Sequence, residues 1–412
     1  MNKMLLLVLC FCPALALGTG QPDILWQARY NNNGLASHDF SVYAMAADRA
    51  GHVYSAGDAN NGLFVLKTDA ATGDSLWARV YRGRGDPVEA ACGCATDSQG
   101  NVYITGYRRN GSDFDAVTMK IDPAAGDTVW TRLYNTRPGS NEYASACATD
   151  RQGNLYVVGT CAEDTLNNIK YDHFHPLVIK YDAATGDTVW SRHMETPVDT
   201  AAEALGCAVD SAGYLYYVGY TMTNTGAEWL VVKHDPATGD TIWRKCMTWM
   251  AHVDFFYDNC ATCCAIGPGN TLYVAGSQER ASLVMRMSTA TGDTVWTAPG
   301  EADTNDKITS CAVDSAGDLY IAMVQYFLGP NITMMKHSSG GGAPLWSKTR
   351  TAQWTYHASC TISNGGLVEQ YCETYNTASD SVRAMKNVMV RFDLTTGDTL
   401  WSCRRVIGDF GM

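Results

Sequence analysis

The chain has 412 residues, of which 46% are hydrophobic and 17% are charged. That length allows a large buried core and, taken alone, two or three domains. The formal net charge of -12 argues against a nucleic-acid-binding protein, which needs a basic surface, and against electrostatic attachment to an anionic membrane. The low charged fraction and the 22 tyrosines favour extensive β-sheet over long solvated helices.

The amino terminus has the pattern of a secretory signal peptide over residues 1–18. Lys3 precedes an apolar run, residues 4–11, and small residues follow at Ala16 and Gly18. This run is too short to span a bilayer, and no other stretch resembles a transmembrane helix. We therefore expect the mature protein to be exported, to the periplasm, the surface or the outside of a bacterium, without a transmembrane segment.

Eight tryptophans recur in one sequence context, at spacings of 50 to 60 residues. They are Trp26, Trp77, Trp130, Trp190, Trp243, Trp296, Trp346 and Trp401. A second phrase, Asp-x-x-Gly followed by a tyrosine three residues later, recurs between them. It begins at Asp48, Asp97, Asp150, Asp210 and Asp314, and degraded copies begin at residues 267 and 363. A period of this length indicates a solenoid, a propeller or an array of domains.

Each of the seven units predicts four short strands, which we name A to D. In the second unit they cover about 89–97, 101–107, 116–122 and 128–134. Small residues dominate strand A, as the crowded centre of a propeller requires, and no helical periodicity supports an α-solenoid. The sequence therefore predicts an all-β fold, a seven-bladed β-propeller of four-stranded antiparallel blades, with eight blades as the alternative.

We place this propeller in one domain, residues 19–412. Its repeats are expected at about 24–81, 82–134, 135–194, 195–247, 248–298, 299–350 and 351–406. The eighth tryptophan belongs to an extra D-like strand, residues 24–30. This strand would close the ring by pairing at the rim of the last blade, since an open seam leaves unpaired strand edges. In the alternative, the segment near Thr399 begins a further unit. The long spacing between Trp130 and Trp190 predicts an insertion in the third unit.

The hairpin between strands C and D reads K-x-D-x-x-T-G-D-x-x-W, as in Lys67, Asp69, Gly73 and Trp77. It resembles the tryptophan-docking motif of quinoprotein (PQQ-type) propellers, and the Asp-x-x-Gly phrase is similar to bacterial β-propeller and NHL-type repeats. The resemblance implies that the tryptophan of one blade packs against the glycine turn of its neighbour. The implied docking residues are Trp77, Trp130, Trp190, Trp243, Trp296, Trp346 and Trp401, with Gly73, Gly126, Gly186, Gly239, Gly292 and Gly397. It specifies a fold and not an activity.

The first position of the motif departs from the alanine that is usual in quinoproteins. It is basic in every unit: Lys67, Lys120, Lys180, Lys233, Arg286, Lys336 and Arg391. We expect each stem to pack over a neighbouring tryptophan, with its charged head on a repeat aspartate such as Asp69 or Asp97. The alternative is a ring of cations that binds an anion.

Cysteines occupy equivalent strand-A positions in six units, at Cys94, Cys147, Cys207, Cys264, Cys311 and Cys360. We expect them to pack in the core as free thiols, because symmetry-related strands lie too far apart for undistorted disulfides. Quinoprotein alcohol dehydrogenases carry an adjacent-cysteine disulfide over their cofactor, and Cys263-Cys264 resembles it. PQQ with calcium is therefore the alternative to the expectation of no cofactor. Cys260-x-x-Cys263 is also half a zinc-site pattern.

Two further segments are candidate sites. In the insertion of the third unit, Asp172, His173 and His175 could hold a metal, or they form an ordinary polar loop. In the long connection before the fifth unit, four aromatic residues could form a sugar- or peptide-binding platform, or they pack locally. These are Trp249, Phe255, Phe256 and Tyr257.

No catalytic residue is assigned, because the chain has no G-x-S-x-G, H-E-x-x-H or Walker sequence. The turns A–B and C–D are short and nearly invariant, whereas the B–C and D–A loops differ between units. We expect an exported, non-enzymatic scaffold or binding module whose variable loops recognise a protein or a glycan. The alternatives are a PQQ-type oxidoreductase or carbohydrate-active enzyme, and an envelope-assembly scaffold.

Overall fold

The computed structural model is a β-propeller. It describes residues 26–27, 40–59, 61–83, 89–137, 139–162, 174–194, 201–223, 226–247, 259–278, 281–300, 306–325, 331–352, 355, 357–376 and 383–407. Seven antiparallel sheets surround a central axis, as predicted, and the eight-bladed alternative is wrong. Within these ranges no helix is long and apolar enough to cross a membrane.

The first four blades have four strands each. Blade 1 contains β2 (Phe40–Ala47), β3 (His52–Ala59), β4 (Gly62–Asp69) and β5 (Ser75–Tyr81). Blade 2 contains β6 (Glu89–Thr96), β7 (Val102–Asn110), β8 (Asp113–Ile121) and β9 (Thr128–Tyr134). Blade 3 contains β10 (Asn141–Thr149), β11 (Asn154–Ala162), β12 (Phe174–Asp182) and β13 (Thr188–His193). Blade 4 contains β14 (Ala202–Val209), β15 (Leu215–Thr223), β16 (Gly226–His234) and β17 (Thr241–Met247).

The remaining blades follow the same order, and the last one gains a fifth strand. Blade 5 contains β18 (Cys260–Gly267), β19 (Thr271–Gln278), β20 (Ala281–Met287) and β21 (Thr294–Pro299). Blade 6 contains β22 (Lys307–Val313), β23 (Leu319–Gln325), β24 (Asn331–His337) and β25 (Trp346–Thr351). Blade 7 contains β26 (Ala358–Ser363), β27 (Gly366–Asn376), β28 (Arg383–Asp393), β29 (Thr399–Ile407) and β1 (Trp26–Gln27).

Strand β1 closes the ring from the amino-terminal side. It pairs in parallel with β29, with Trp26 opposite Cys403 and Gln27 opposite Arg404. The extra D-like segment therefore pairs at the rim of the last blade, as predicted, and the alternative in which the Thr399 segment begins a further unit is wrong. Because strands from both ends of the chain share this sheet, the seam between them is hydrogen-bonded.

The recurring Asp-x-x-Gly phrase builds the A–B turn of blades 1 to 4 and of blade 6. In blade 2, Oδ1 of Asp97 accepts the backbone N–H groups of Gln99 and Asn101, both at 2.9 Å. Gly100 adopts a φ of 85°, which a side chain would strain. The buried phenol of Tyr103 donates to Oδ2 of the same aspartate at 3.0 Å. The phrase thus joins the turn to the first buried tyrosine of strand B.

Candidate functional site

The predicted docking contacts are present between neighbouring blades. A Cβ atom at Gly239 would lie 2.7 Å from Cε3 of Trp190, so only a glycine lets the indole of blade 3 cover the turn of blade 4. The φ of Gly239 is 75°, a second reason for glycine. Trp190 Nε1 donates to the carbonyl of Pro236 at 3.3 Å, next to Gly239 in the same turn. Stacking and a hydrogen bond therefore hold one blade on the next.

The basic residue of the motif donates to the same carbonyl as the tryptophan. Lys180 lies directly opposite Trp190 in the sheet, and its Nζ reaches the carbonyl of Pro236 at 2.8 Å. This pairing recurs at all seven interfaces. The shared acceptors are the carbonyls of Pro123, Ala183, Pro236, Thr289, Ser339, Leu394 and, at the closure, Ala70.

This geometry corrects the expected role of the basic residues. The ammonium of Lys180 lies 5.2 Å from the ring centre of Tyr156 in its own blade, not over a neighbouring tryptophan. Its hydrogen bond goes to a backbone carbonyl, not to a repeat aspartate. Among the described basic residues of the motif, only Lys336 pairs closely with a carboxylate, with its Nζ 3.0 Å from Asp318. Burial lowers the pKa of Lys180, which fits a docking group better than an exposed anion site.

One docking glycine was missed by the sequence analysis. In blade 6 the C–D turn reads S-S-G-G-G and lacks the Thr-Gly-Asp signature. A Cβ atom at Gly341 would lie 2.9 Å from Cδ2 of Trp296, and its φ is 87°. Trp296 occupies the usual docking position in strand D of blade 5. That position was the signal that the C–D turn of blade 6 must place a glycine against its indole.

The six repeat cysteines are free thiols, as expected. The sulfur of Cys147 lies 3.9 Å from the carbonyl oxygen of Tyr103 in the preceding blade, and Cys94 makes the equivalent contact with Tyr54 at 3.8 Å. Burial raises the pKa of Cys94 and Cys207 to about 12. They are therefore protonated at pH 7, a poor state for metal binding or nucleophilic chemistry.

The adjacent pair Cys263 and Cys264 does not fit a disulfide over a PQQ cofactor. Both are free thiols in β18, where consecutive side chains point to opposite faces of the sheet. Cys263 packs with Cys311 on the core between blades 5 and 6, whereas Cys264 belongs to the core between blades 4 and 5. The two sulfurs thus belong to different blade interfaces, and we derive no chemistry through PQQ.

The predicted ligand and metal residues lie mostly beyond the described ranges. Trp249, Phe255, Phe256 and Tyr257 fall outside them, as do Asp172 and His173. His175 is in β12, opposite Cys161. The sulfur of Cys161 lies 3.5 Å from the carbonyl oxygen of His175. Across the described ranges, no three His, Cys, Asp or Glu side chains are grouped to hold a metal.

The two ends of the blades differ in regularity. At one end, the A–B and C–D turns repeat the same aspartate and glycine contacts. At the other, the B–C connections range from residues 111–112 in blade 2 to 163–173 in blade 3, where the insertion was predicted. The D–A connections range from 135–140 to 248–259. We call this second end the variable-loop face.

A cavity of about 800 Å³ lies on the axis, at the end that carries the A–B turns. Its walls include Asp97, Asp150, Asp210 and Asp314. Each of these carboxylates accepts backbone N–H groups of its own turn. These aspartate side chains therefore stabilise the A–B turns, which is the structural role of the Asp-x-x-Gly phrase.

Comparison with known proteins gives a fold and a partial family match. Residues 175–353 match the protein family described as outer membrane protein assembly factor BamB. The match covers less than half of the chain, and over these residues the chain is similar to a PQQ-like propeller. No curated protein sequence matches it.

Solved structures resemble this propeller at low sequence identity. The WD40 repeats of RRP9 are 12% identical, with a TM-score of 0.53 over 81% of this chain and 88% of that chain. The Dos1 propeller is 10% identical, with a TM-score of 0.49 over 83% and 78%. Quinohemoprotein alcohol dehydrogenase ADHIIG from Pseudomonas putida HK5 is 12% identical, with a TM-score of 0.45 over 78% and 61%. The likeness to RRP9 concerns the fold alone.

Proposed function

We propose that this propeller is an exported, non-enzymatic binding module whose variable-loop face recognises a protein or a glycan. The observation that carries the proposal is the contrast between the two ends of the blades. The turns at one end are occupied by capping and docking contacts that recur around the ring. The connections at the other end differ in length from blade to blade, as in scaffolds that present binding loops.

The aromatic segment of the fourth D–A connection is the part of this face that we expect to contact the ligand. Aromatic side chains combine a large apolar area with little conformational freedom, so they suit sugar rings and peptide side chains alike. Trp249 and Phe256 are the residues chosen for the test.

Envelope assembly is the second candidate function, and the family match over residues 175–353 supports it. That family is described as an outer membrane protein assembly factor. A propeller with this role would bind other envelope proteins, so the protein-binding form of our proposal includes it.

The test compares substitutions that shorten a side chain at the variable-loop face with one at the turn end of the blades. The purified mature chain is presented to a glycan array and, separately, to solubilised outer-membrane proteins. We expect saturable binding to one of them that falls at least tenfold in Trp249→Ala or Phe256→Ala. The control, Val295→Ala, removes a side chain that is 57% exposed and lies on strand β21 next to the C–D turn. It should bind like the unmodified chain.

Two results would contradict the proposal. The first is binding that is lost in Val295→Ala and kept in both aromatic variants, because the ligand would then sit at the turn end. The second is a saturable absorbance change on titration with PQQ and calcium, coupled to alcohol-dependent dye reduction, which would favour the enzyme.

A further inference from the structure

In most blades, the fourth residue after the docking tryptophan has a large side chain that lies between that blade and the next. In blade 1 this residue is Tyr81, whose hydroxyl donates to the carbonyl of Gly126 in blade 2 at 2.6 Å. In blade 2 it is Tyr134, whose hydroxyl donates to Oγ of Ser191 in blade 3 at 3.0 Å. We call this position the filler position.

Later blades use other large side chains at the filler position, with one exception. Met194 of blade 3 lies 3.4 Å from the hydroxyl of Tyr217, and Met247 packs on the core between blades 4 and 5. Arg350 of blade 6 forms an ion pair with Glu369 of blade 7. In blade 5 the filler position is Gly300, whose N–H donates to the carbonyl of Ser282. The interface between blades 5 and 6 therefore has no filler side chain.

A cleft of about 570 Å³ occupies this interface. Buried apolar side chains form its depth, Val284 from blade 5 with Ile321 and Met323 from blade 6, and the partly buried Met335 lies beside them. The cleft opens to solvent where Gly300 and Thr349 are exposed. Its volume lies within the ordinary range for small-molecule sites, and so does its mixture of apolar walls with a few polar groups.

A chain of hydrogen bonds runs along the blade 6 wall. Nε2 of Gln325 donates to Oδ2 of Asp306 at 3.3 Å, and Oε1 of Gln325 accepts the hydroxyl of Thr333 at 3.0 Å. That hydroxyl also lies 2.8 Å from the hydroxyl of Thr349 at the rim. These contacts fix the orientation of the polar groups before any ligand arrives.

Two deeply buried acceptors on the cleft wall are left unpaired within the described part of the chain. Asp306 is 5% exposed, and its Oδ1 has no hydrogen-bond partner. His337 is 4% exposed, and its Nδ1 has none either, while its ring bonds the backbone of Gly342. Burial lowers the pKa of His337, so the ring is neutral at pH 7. Both atoms are closed to solvent, and a buried polar atom without a partner is costly, so a side-chain rotation that brings either atom to a ligand in the cleft would be favoured.

The cleft's chemistry selects for a cation with an apolar body. Asp306 is the only residue with a formal charge among the described residues of its wall. Thr333, Met335 and His337 alternate along β24, so about 13 Å of strand separates His337 from Thr333, which bonds Gln325 beside Asp306. A five-carbon diamine with one hydrogen bond at each end matches that span.

We propose that this cleft binds an alkylammonium group, with the ammonium at Asp306 and the hydrocarbon chain along Met323 and Met335. A second donor would reach Nδ1 of His337. The same chemistry occurs in a free aliphatic diamine and in the lysine side chain of a peptide. The site lies between blades 5 and 6 and contains none of the residues tested for the function proposed above, so it stands or falls independently of that function.

The test is calorimetric titration with 1,5-diaminopentane and, in a second arm, with the peptide Ala-Ala-Lys-Ala-Ala. We expect saturable binding of at least one probe, weakened tenfold or more in Asp306→Asn, because an ammonium–carboxylate hydrogen bond is lost. Asp187→Asn is the matched control, since it removes the same charge from an exposed side chain outside the cleft. It should leave the affinity unchanged. The probe that binds identifies the source of the cation.

A second variant guards against misfolding of Asp306→Asn. Gly300→Met restores a filler side chain while the carboxylate stays in place. The backbone of Gly300 does not need a glycine conformation, and the atoms nearest to the new Cβ are the Ser282 hydroxyl, which must rotate away, and the Ser282 carbonyl at 3.1 Å. We expect this variant to lose probe binding. Failure of both probes to bind, unchanged affinity in Asp306→Asn or Gly300→Met, or binding of glucose in place of the amines would overturn the proposal.

Discussion

Two layers of the same blade interfaces behave differently. In the docking layer, a tryptophan and a basic residue reach one carbonyl of the next blade, and this pattern recurs seven times. In the filler layer, four residues further along strand D, the side chain changes from Tyr81 and Tyr134 to Arg350, and it is absent at Gly300. The first layer builds the ring. The filler layer differs from one interface to the next, and the proposed binding cleft lies where its side chain is absent.

The largest expected effect comes from breaking the docking layer. Trp190→Ala removes a side chain that is 8% exposed and lies against Gly239, so it leaves a cavity between two blades. We expect the free energy of unfolding to fall by about 3–5 kcal/mol in urea titrations. The control, Val189→Ala, truncates a neighbour that is 54% exposed and should cost less than about 0.5 kcal/mol. Equal losses in the two variants would contradict the docking account.

The next prediction concerns the interface between blades 6 and 7, where Arg350 occupies the filler position. Glu369 is fully buried, and Glu369→Gln would leave the Arg350 guanidinium without its ion-pair partner. We expect a loss of about 3 kcal/mol in the free energy of unfolding, because an uncompensated buried charge is costly. The double variant Arg350→Met, Glu369→Leu should lose less than the single one. A larger loss in the double variant would mean that the pair stabilises this interface beyond its packing.

The blades themselves could be predicted because each unit repeats the residues that build it. Asp97, Gly100 and Tyr103 recur as a phrase, and so does Trp190 with its Thr-Gly-Asp turn. The acceptor of the docking bonds could not be predicted, since the carbonyl of Pro236 is backbone, and other residue types supply it in other blades. The basic residues were therefore assigned the wrong partners.

The cleft was also beyond the sequence analysis, although a signal existed. Aligning the filler position across blades shows Tyr81, Tyr134, Met194, Met247, Gly300, Arg350 and Arg405. A glycine among large side chains marks a gap only when that position is known to face the next blade. The register of strand D supplies this knowledge. The aromatic segment 249–257 and the pair Asp172 and His173 lie outside the described ranges and stay predictions.

A smaller effect concerns the buried thiols at the centre of the docked ring. Burial raises the pKa of Cys94 from 9.0 to about 12, so the folded chain keeps a proton that the unfolded chain releases. This contribution to stability is complete below pH 9 and is lost as the pH rises from 9 toward 12. At pH 10.5 the loss should reach about 2 kcal/mol for this thiol. Urea titrations of Cys94→Ala should show a shallower decline between pH 9 and 10.5, and identical slopes would contradict the assignment.

The smallest expected effect is on the empty filler position. Gly300→Met should change the free energy of unfolding by less than about 1 kcal/mol, because the side chain enters an existing cleft and the atom nearest to its Cβ is the Ser282 hydroxyl, which can rotate away. Thermal and urea unfolding measure this change. A loss as large as that expected for Trp190→Ala would show that the interface between blades 5 and 6 is closed in solution.

The most direct test of the division between the two layers is the shift in Tm that 1,5-diaminopentane causes in Trp190→Ala and in Gly300→Met. The account predicts a lower Tm for Trp190→Ala with the ligand-induced shift retained. It predicts a nearly unchanged Tm for Gly300→Met with the shift abolished. A shift that survives in Gly300→Met, or that disappears in Trp190→Ala, would contradict it.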